Sequence, residues 1–159
     1  MELYFVRHGL AGERKPGDPN DAARPLTEQG IEKMRGAAGG LRRLGVAPEA
    51  LLSSPFTRAH QTAEIIAAEL GLSVQLADQL ASGCDLAALQ RALAAFTQLQ
   101  RVMVVGHEPD FSEMIDELTG GRVEIKKGAV CRVDLATVVP GGGTLIWLLP
   151  AKVLRGLSR

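Results

Sequence analysis

The feature that most constrains the fold is an apolar run over residues 3–6 that ends directly in Arg7-His8-Gly9. Continuous apolar runs of high β-propensity predict a strand buried on both faces, here over residues 2–6. In open α/β sheets, ligands bind beyond the carboxyl ends of such strands. We therefore expect Arg7 and His8 at a ligand-binding edge, and Gly9 to permit a turn and a close ligand approach. The tripeptide alone is also compatible with a surface arginine and a loop histidine.

Chain length and charge limit the classes of protein that this sequence fits. With 159 residues, of which 46% are hydrophobic, we expect a single domain over residues 1–159 with a sizeable core. Lys+Arg and Asp+Glu both number 18. This balance argues against a nucleic-acid partner bound through a global positive field, but it allows a local cationic pocket.

The two cysteines, Cys84 and Cys131, are far apart and have no CxxC partner. We predict neither a zinc site nor a disulfide, and no metal or other cofactor. The amino terminus lacks the basic and apolar regions of a secretory signal, and no stretch is long and apolar enough for a membrane span. We expect a cytoplasmic protein without a membrane partner.

Hydrophobic periodicity divides the chain into alternating strands and helices. Strands are predicted at 2–6, 50–53, 72–76, 101–105, 130–139 and 144–149. Helices are predicted from Thr27 to Gly45, from Ser54-Pro55 to Gly71, over 86–99 and from Asp110. This alternation predicts an α/β three-layer sandwich, a mostly parallel sheet with helices on both faces. No helix is predicted between the last two strands, so part of the sheet is expected to be antiparallel.

Local signals predict where three helices begin. Thr27, Ser54 and Asp110 are candidate N-caps, with Pro55 as a first helical residue after Ser54. The first helix contains four glycines, which weaken its predicted continuity or allow close packing on a sheet. They are Gly30, Gly36, Gly39 and Gly40.

Two further side chains fall at the same kind of position as Arg7 and His8. Arg58 lies near the amino end of a predicted helix, where a cation opposes the helix dipole unless an anion binds nearby. His107 follows the strand predicted at 101–105. Two arginines, two histidines and two helix amino ends at one sheet edge indicate an anion pocket, and the planar arginine fork suits phosphate.

Together, three segments carry a resemblance to a known family. They are Arg7-His8-Gly9, Ser53-Ser54-Pro55-Phe56-Thr57-Arg58-Ala59-His60-Gln61-Thr62-Ala63 and Gly106-His107-Glu108-Pro109. In this order they resemble the histidine phosphatase (phosphoglycerate mutase-like) superfamily. The short chain and Arg24-Pro25-Leu26-Thr27 are most similar to its SixA-type phosphohistidine phosphatases. The resemblance implies a phosphoglycerate mutase-like fold.

The resemblance also implies roles for individual residues. His8 matches the nucleophile that becomes a phosphohistidine. Arg7, Arg58 and His107 match the side chains that hold the phosphoryl oxygens, with the arginines and a protonated histidine supplying charge without a metal. Arg24 is a further candidate for substrate binding, although it is also compatible with a solvated loop arginine.

The sequence departs from the family pattern at the proton donor. Larger members carry a glutamate in the segment comparable to 76–80, where this chain has Gln79. Asp78 and Asp85 are nearby but have no matching position. Glu108 is a candidate because it directly follows His107, as the acid does in the acid phosphatase and phytase branch, although it is also compatible with a solvent-facing carboxylate. An alkoxide leaving group benefits from an acid, whereas an imidazole leaves easily once it is protonated. A site poor in acids therefore favours a P–N bond.

These observations favour hydrolysis of phosphohistidine in a protein through a covalent intermediate at His8. One alternative is a phosphatase of the same mechanism that acts on small phosphate esters. Another is a non-catalytic phosphate-binding module, since a fold alone does not grant activity. The remaining charges, His60, Lys126, Lys127 and Arg155, are predicted to be solvated surface groups.

Overall fold

A computed structural model, which describes residues 1–158, shows one six-stranded sheet. The strands are β1 (Glu2–Arg7), β2 (Ala50–Ser53), β3 (Val74–Leu76), β4 (Arg101–Gly106), β5 (Val130–Leu135) and β6 (Gly143–Leu149). Their order is β3-β2-β4-β1-β5-β6. The first four strands of this order are parallel, and β5 and β6 are antiparallel to their neighbours. The predicted α/β architecture is therefore confirmed.

Five α-helices cover the two faces of the sheet. They are α1 (Glu28–Arg43), α2 (Thr57–Leu70), α3 (Leu86–Leu93), α4 (Asp110–Thr119) and α5 (Ala151–Leu157). Alternate residues of the central strand point to opposite faces. Leu3 and Phe5 pack with α3 and α4, while Tyr4 and Val6 pack with α1, α2 and α5. The continuous apolar run of β1 is thus explained by two cores, one on each face.

The structure contains one helix that was not predicted, and several predicted boundaries are wrong; the strand predicted at 72–76, for example, begins at Val74. α5 was not predicted, because its seven residues are too short for a clear helical period and include Gly156. The predicted helix over 86–99 ends at Leu93 and continues only as a short 3-10 turn, Ala94–Phe96. The predicted strand over 130–139 ends at Leu135.

Of the three predicted N-caps, only Thr27 is confirmed, with its hydroxyl oxygen accepting a hydrogen bond from the Gly30 amide. Helix α2 begins at Thr57, so Ser54 is too early to cap it. Asp110 is the first residue of α4, and its carboxylate accepts a hydrogen bond from the Gly83 amide. The other two side chains that the local sequence pattern predicted as N-caps therefore make tertiary contacts instead.

The glycines of α1 do not interrupt the helix, and two of them permit close packing. A Cβ on Gly30 would lie 2.1 Å from the carbonyl oxygen of Leu10, and a Cβ on Gly40 would lie 2.0 Å from that of Leu154. The prediction that these glycines allow close packing is correct, but the predicted packing partner, the sheet, is wrong. These glycines face the backbone of a loop and of α5 rather than the sheet.

Gly40→Ala is expected to destabilise the protein, because the new methyl group would collide with backbone that cannot rotate away. Overpacking of this kind costs about 1–3 kcal/mol. Urea denaturation followed by circular dichroism measures the free energy of unfolding. Gly156→Ala is the matched control, because within residues 1–158 the added Cβ has no atom within 4 Å apart from its chain neighbours and the backbone of its own helix. An equal effect of both substitutions would contradict the packing explanation.

Within residues 1–158, no helix has the length and apolar character that crossing a membrane requires.

Candidate active site

Two neighbouring strands bring His8 and His107 together. β1 and β4 pair in parallel with Arg7 opposite Gly106, so each histidine follows directly after a paired residue. The His8 amide donates a hydrogen bond of 3.1 Å to the Gly106 carbonyl, which extends the ladder by one residue. The two imidazole ring centroids are 5.3 Å apart. Their spacing is therefore set by the sheet.

Contacts on both ring nitrogens define the tautomer of His8. Nδ1 lies 2.8 Å from the carbonyl oxygen of Gly9. Because a carbonyl can only accept, Nδ1 carries the proton. Nε2 then holds a lone pair and accepts a hydrogen bond of 3.3 Å from Nε of Arg58. The side chain is oriented, nearly buried and equipped with a nucleophilic nitrogen.

His107 is held by the residues that precede α2. Its Nε2 lies 2.7 Å from the hydroxyl of Ser54, and its ring packs edge-on against Phe56 at a centroid distance of 5.0 Å. Nδ1 of His107 is buried without a hydrogen-bond partner among the described residues. Buried polar atoms rarely remain unpaired in native structures. This nitrogen is therefore a candidate contact for a bound group.

Burial keeps both histidines neutral. Desolvation, together with the charges of Arg58 and Arg7 and against the opposing Gly9 hydrogen bond, lowers the pKa of His8 to about 4. Desolvation likewise lowers the pKa of His107 to about 3, together with His8 and Arg58. The lowered pKa values favour neutral imidazoles in the site as it stands, so that its positive charge comes from the arginines.

These pKa shifts predict acid sensitivity. The unfolded chain, in which histidine has a pKa of 6.5, takes up protons before the folded protein does. Each neutral histidine therefore contributes its full stabilisation above pH 6.5. This contribution is lost as the pH falls from 6.5 toward the pKa of the histidine in the folded protein. We expect a loss of about 2 kcal/mol per histidine between about pH 7 and pH 5. Urea denaturation at both pH values measures it, and variants that lack either histidine should show a smaller loss.

Arg58 is the most deeply placed cation of the site, with 4% of its surface exposed. Its NH1 donates to the backbone oxygen of Asp21 at 2.8 Å, and its NH2 donates to the Asp21 carboxylate at 3.1 Å. Arg7 is half-buried, and its NH1 donates to the carbonyl of Ile125 at 2.9 Å. Both guanidinium groups are thus fixed in position by backbone oxygens.

Asp21 is a site residue that the sequence analysis missed. Its carboxylate accepts hydrogen bonds from Nε of Arg24 at 3.0 Å and from Arg58. Burial acts to raise the pKa of Asp21, but the hydrogen bond from Arg24 and the charge of Arg58 outweigh burial and lower it. The signal was present as an aspartate three residues before Arg24 in the long loop between β1 and α1. Clustered arginines need such a counter-charge.

The remaining candidates occupy different places. Arg24 lines the pocket, and its NH1 donates to the Gly12 carbonyl at 2.7 Å. Gly9 does not line the pocket; its amide donates to the hydroxyl of Thr62. Glu108 lines the pocket, half-buried, and desolvation raises its pKa even though its carboxylate accepts a hydrogen bond from the Ser112 amide.

The pocket at this sheet edge has a volume of about 370 Å³. It is rich in cations from several elements: Arg7, Arg14, Arg24, Arg58 and Lys127. The carboxylates on its lining are Glu13, Asp21 and Glu108. Over residues 1–158, no group of three or more His, Cys, Asp or Glu side chains is arranged to hold a metal ion. The arrangement suits a small multivalent anion that arginine side chains can bind through hydrogen bonds.

A three-layer α/β fold that presents paired histidines and several arginines at one carboxyl edge defines a class of phosphate-binding proteins. Residues 3–82 match the model of the histidine phosphatase superfamily (branch 1), and the chain belongs to that superfamily as a SixA-type member.

Similar proteins support this assignment over most of the chain. An uncharacterised protein of Picosynechococcus is 40% identical, covering 82% of both chains. Phosphohistidine phosphatase SixA of Escherichia coli is 31% identical, covering 92% of both. The structure of the protein histidine phosphatase SixA complexed with tungstate superposes with a TM-score of 0.83 at 30% identity, covering 96% of this chain and 98% of that one. An α-ribazole-5′-P phosphatase structure from Escherichia coli, at 20% identity and a TM-score of 0.75, covering 95% and 97%, shares the fold.

Proposed function

We propose that this phosphatase hydrolyses phosphohistidine in a protein, without a metal, through a covalent phosphohistidine at His8. The observation that carries the proposal is the tautomer of His8. Its unprotonated Nε2 lies at the edge of the pocket, next to the buried guanidinium of Arg58. A neutral imidazole is a competent nucleophile near neutral pH. Phosphoryl transfer then depends mainly on positioning and charge stabilisation, which the arginines supply.

The reaction proceeds in two displacements at phosphorus. Nε2 of His8 forms a bond to phosphorus while the P–N bond of the substrate breaks, and the departing imidazole takes up a proton. Water then attacks phosphorus, the bond to Nε2 breaks, and inorganic phosphate leaves as water gives up its proton. Nδ1 keeps its proton and donates a hydrogen bond to the Gly9 carbonyl, whose oxygen stabilises the positive charge on the phosphorylated ring.

The phosphoryl oxygens are held by residues from separate elements. Arg7, Arg58 and Arg24 provide charged donors at the pocket. Nδ1 of the neutral His107 provides an uncharged donor when Ser54 donates its hydroxyl proton to Nε2. Charge-assisted hydrogen bonds from arginine to phosphate are stronger than neutral ones. Asp21 keeps the arginines in place and offsets part of their mutual repulsion.

The choice of substrate follows from the leaving group. Phosphohistidine needs little help from an acid, which fits a site whose candidate acid, Glu108, also accepts a hydrogen bond from Ser112. The similarity to phosphohistidine phosphatase SixA supports the same choice. We also propose that the protein is cytoplasmic and that its partner there is a phosphorylated protein.

A second candidate function is hydrolysis of small phosphate esters. It is favoured by the raised pKa of Glu108, because a carboxyl group that holds its proton longer is a better acid for an alkoxide leaving group. Glu108 lines the same pocket as His8 and His107. A capped pocket would suit such a metabolite, whereas a protein needs open access.

Substrate competition separates these functions. The protein is assayed with a phosphohistidine peptide, a phosphoserine peptide of the same sequence and glycerol phosphate, a small ester with an alkoxide leaving group. We expect kcat/KM to be at least about 100-fold higher for phosphohistidine than for either ester. Faster ester hydrolysis would establish the second function instead, and tight binding of all three without turnover would establish a binding module.

Glu108→Gln tests the acid directly. For a phosphohistidine substrate we expect kcat to change by less than about threefold, whereas ester hydrolysis should fall by about 100-fold or more. Glu113→Gln is the matched control, because Glu113 is exposed in the first turn of α4, the helix that Glu108 precedes. A large loss of phosphohistidine hydrolysis in Glu108→Gln alone would show that P–N cleavage also uses this acid.

A further inference from the structure

A second concave surface lies beside the catalytic pocket, between α1, α5 and the segment that precedes β5. We call it the basic groove. Its rim carries Lys33, Lys126, Lys127, Lys152 and Arg155, and its volume is about 440 Å³. Its floor is apolar and includes the buried side chains of Met34 and Ala151. A cationic rim over an apolar floor suits a ligand with both acidic and apolar parts.

The cations of the basic groove have no counter-charge of their own. Among the described residues, none of the five rim side chains forms an ion pair, and no carboxylate lines the groove. Glu32 lines only the adjoining depression, together with Lys33 and Arg155. The whole chain has equal numbers of acidic and basic residues, so five unpaired cations here are a local concentration. Such a patch attracts anionic partners.

The basic groove adjoins the catalytic pocket. Arg7, Leu10 and Lys127 border both surfaces. The segment that carries Lys126 and Lys127 is also tied to β1, because the Gly128 amide donates to the carbonyls of Arg7 and His8. A polypeptide with its modified side chain in the catalytic pocket therefore has the groove within reach of its neighbouring residues.

We propose that the basic groove binds an acidic segment of the substrate protein, next to its phosphohistidine. This inference rests on the proposed function, because it takes the occupant of the catalytic pocket to be part of a polypeptide. Carboxylates of the segment meet the lysines of the rim, while an apolar side chain rests on Met34. Electrostatic complementarity of this kind contributes selectivity and association rate.

Binding of stable peptides tests the groove. The probes are two peptides that carry phosphoryltriazolylalanine, a non-hydrolysable phosphohistidine analogue; one has flanking glutamates and the other has glutamines in their place. We expect the glutamate peptide to bind the wild-type protein about ten-fold more tightly at low salt, with the advantage lost at high salt. Lys126→Gln combined with Lys152→Gln should remove most of that advantage.

The matched control is Arg91→Gln combined with Arg122→Gln, which neutralises two exposed cations that do not line the groove. It should keep the full preference for the glutamate peptide. Hydrolysis of phosphoramidate, which is too small to reach the groove, should be the same in all three proteins. Lys127 is left unchanged because it also lines the catalytic pocket.

The outcomes separate this inference from the proposed function. The inference about the basic groove is overturned if the two peptides bind equally well. It is also overturned if the groove variant and the control variant lose equal amounts of the preference for the glutamate peptide. Variant-sensitive binding to phosphatidylserine vesicles without a peptide preference also overturns it, in favour of a membrane. Preferential binding of the glutamate peptide supports the groove, even where the wild type fails to hydrolyse the corresponding phosphohistidine peptide; that failure counts against the proposed function alone.

Discussion

His8→Ala is expected to lower kcat for a phosphohistidine peptide by at least about 1000-fold, because it removes the atom that forms the covalent intermediate. The substitution also removes the two hydrogen bonds that the wild-type imidazole makes with Gly9 and Arg58. The direct measurement mixes protein with a peptide labelled on phosphorus and quenches it in alkali. The wild type should carry label that is stable to alkali and lost in acid, and the variant should carry none.

The chain supplies its own control for that experiment. His60→Ala removes a histidine that lies on α2 and does not line the catalytic pocket. It should leave both labelling and turnover within about twofold of wild type, as expected for a surface substitution. Circular dichroism of each variant shows that loss of label is not loss of fold. Label retained in folded His8→Ala protein would place the intermediate on another residue.

Arg58→Lys is expected to lower kcat/KM by about 100-fold to 1000-fold, although it conserves the charge. The planar guanidinium contacts His8 through one nitrogen and Asp21 through the other two. A lysine ammonium is a point charge that cannot make this fork. Steady-state kinetics, together with calorimetric binding of inorganic phosphate, should show weaker binding as well as slower turnover.

Arg91→Lys is the corresponding control, since Arg91 is an exposed residue of α3 on the other face of the sheet. It should leave both measurements unchanged. If Arg58→Lys retains kcat/KM within about threefold, then the fork geometry is unimportant and charge alone suffices.

The fold could largely be predicted because its signals are local. Apolar runs gave the positions of the strands, and the two glycines expected to end α1 and α2 do adopt left-handed backbone, with φ of 71° at both Gly45 and Gly71. Helix starts were less predictable, because Ser54 and Asp110 hydrogen-bond to residues distant in sequence. No local pattern shows that a tertiary partner competes for a capping side chain.

The candidate site was predictable to the extent that its residues follow strands. His8 and His107 could be placed from the paired edges of two apolar runs. Asp21 could not, because it lies in a long loop whose path the sequence does not specify. The basic groove was missed for a similar reason: its lysines and Arg155 come from three separate segments, one of which is the unpredicted α5.

The pairing of β1 with β4 has a consequence for how such proteins diversify. His8 and His107 are positioned by a backbone ladder, whereas the loop that carries Asp21 and the turn that carries Ser82 border the same pocket from outside the sheet. Insertions or substitutions in those loops can alter which molecules gain entry without moving the two imidazoles. Selection can therefore change the substrate and the reacting pair independently, and one scaffold can serve phosphatases with different substrates.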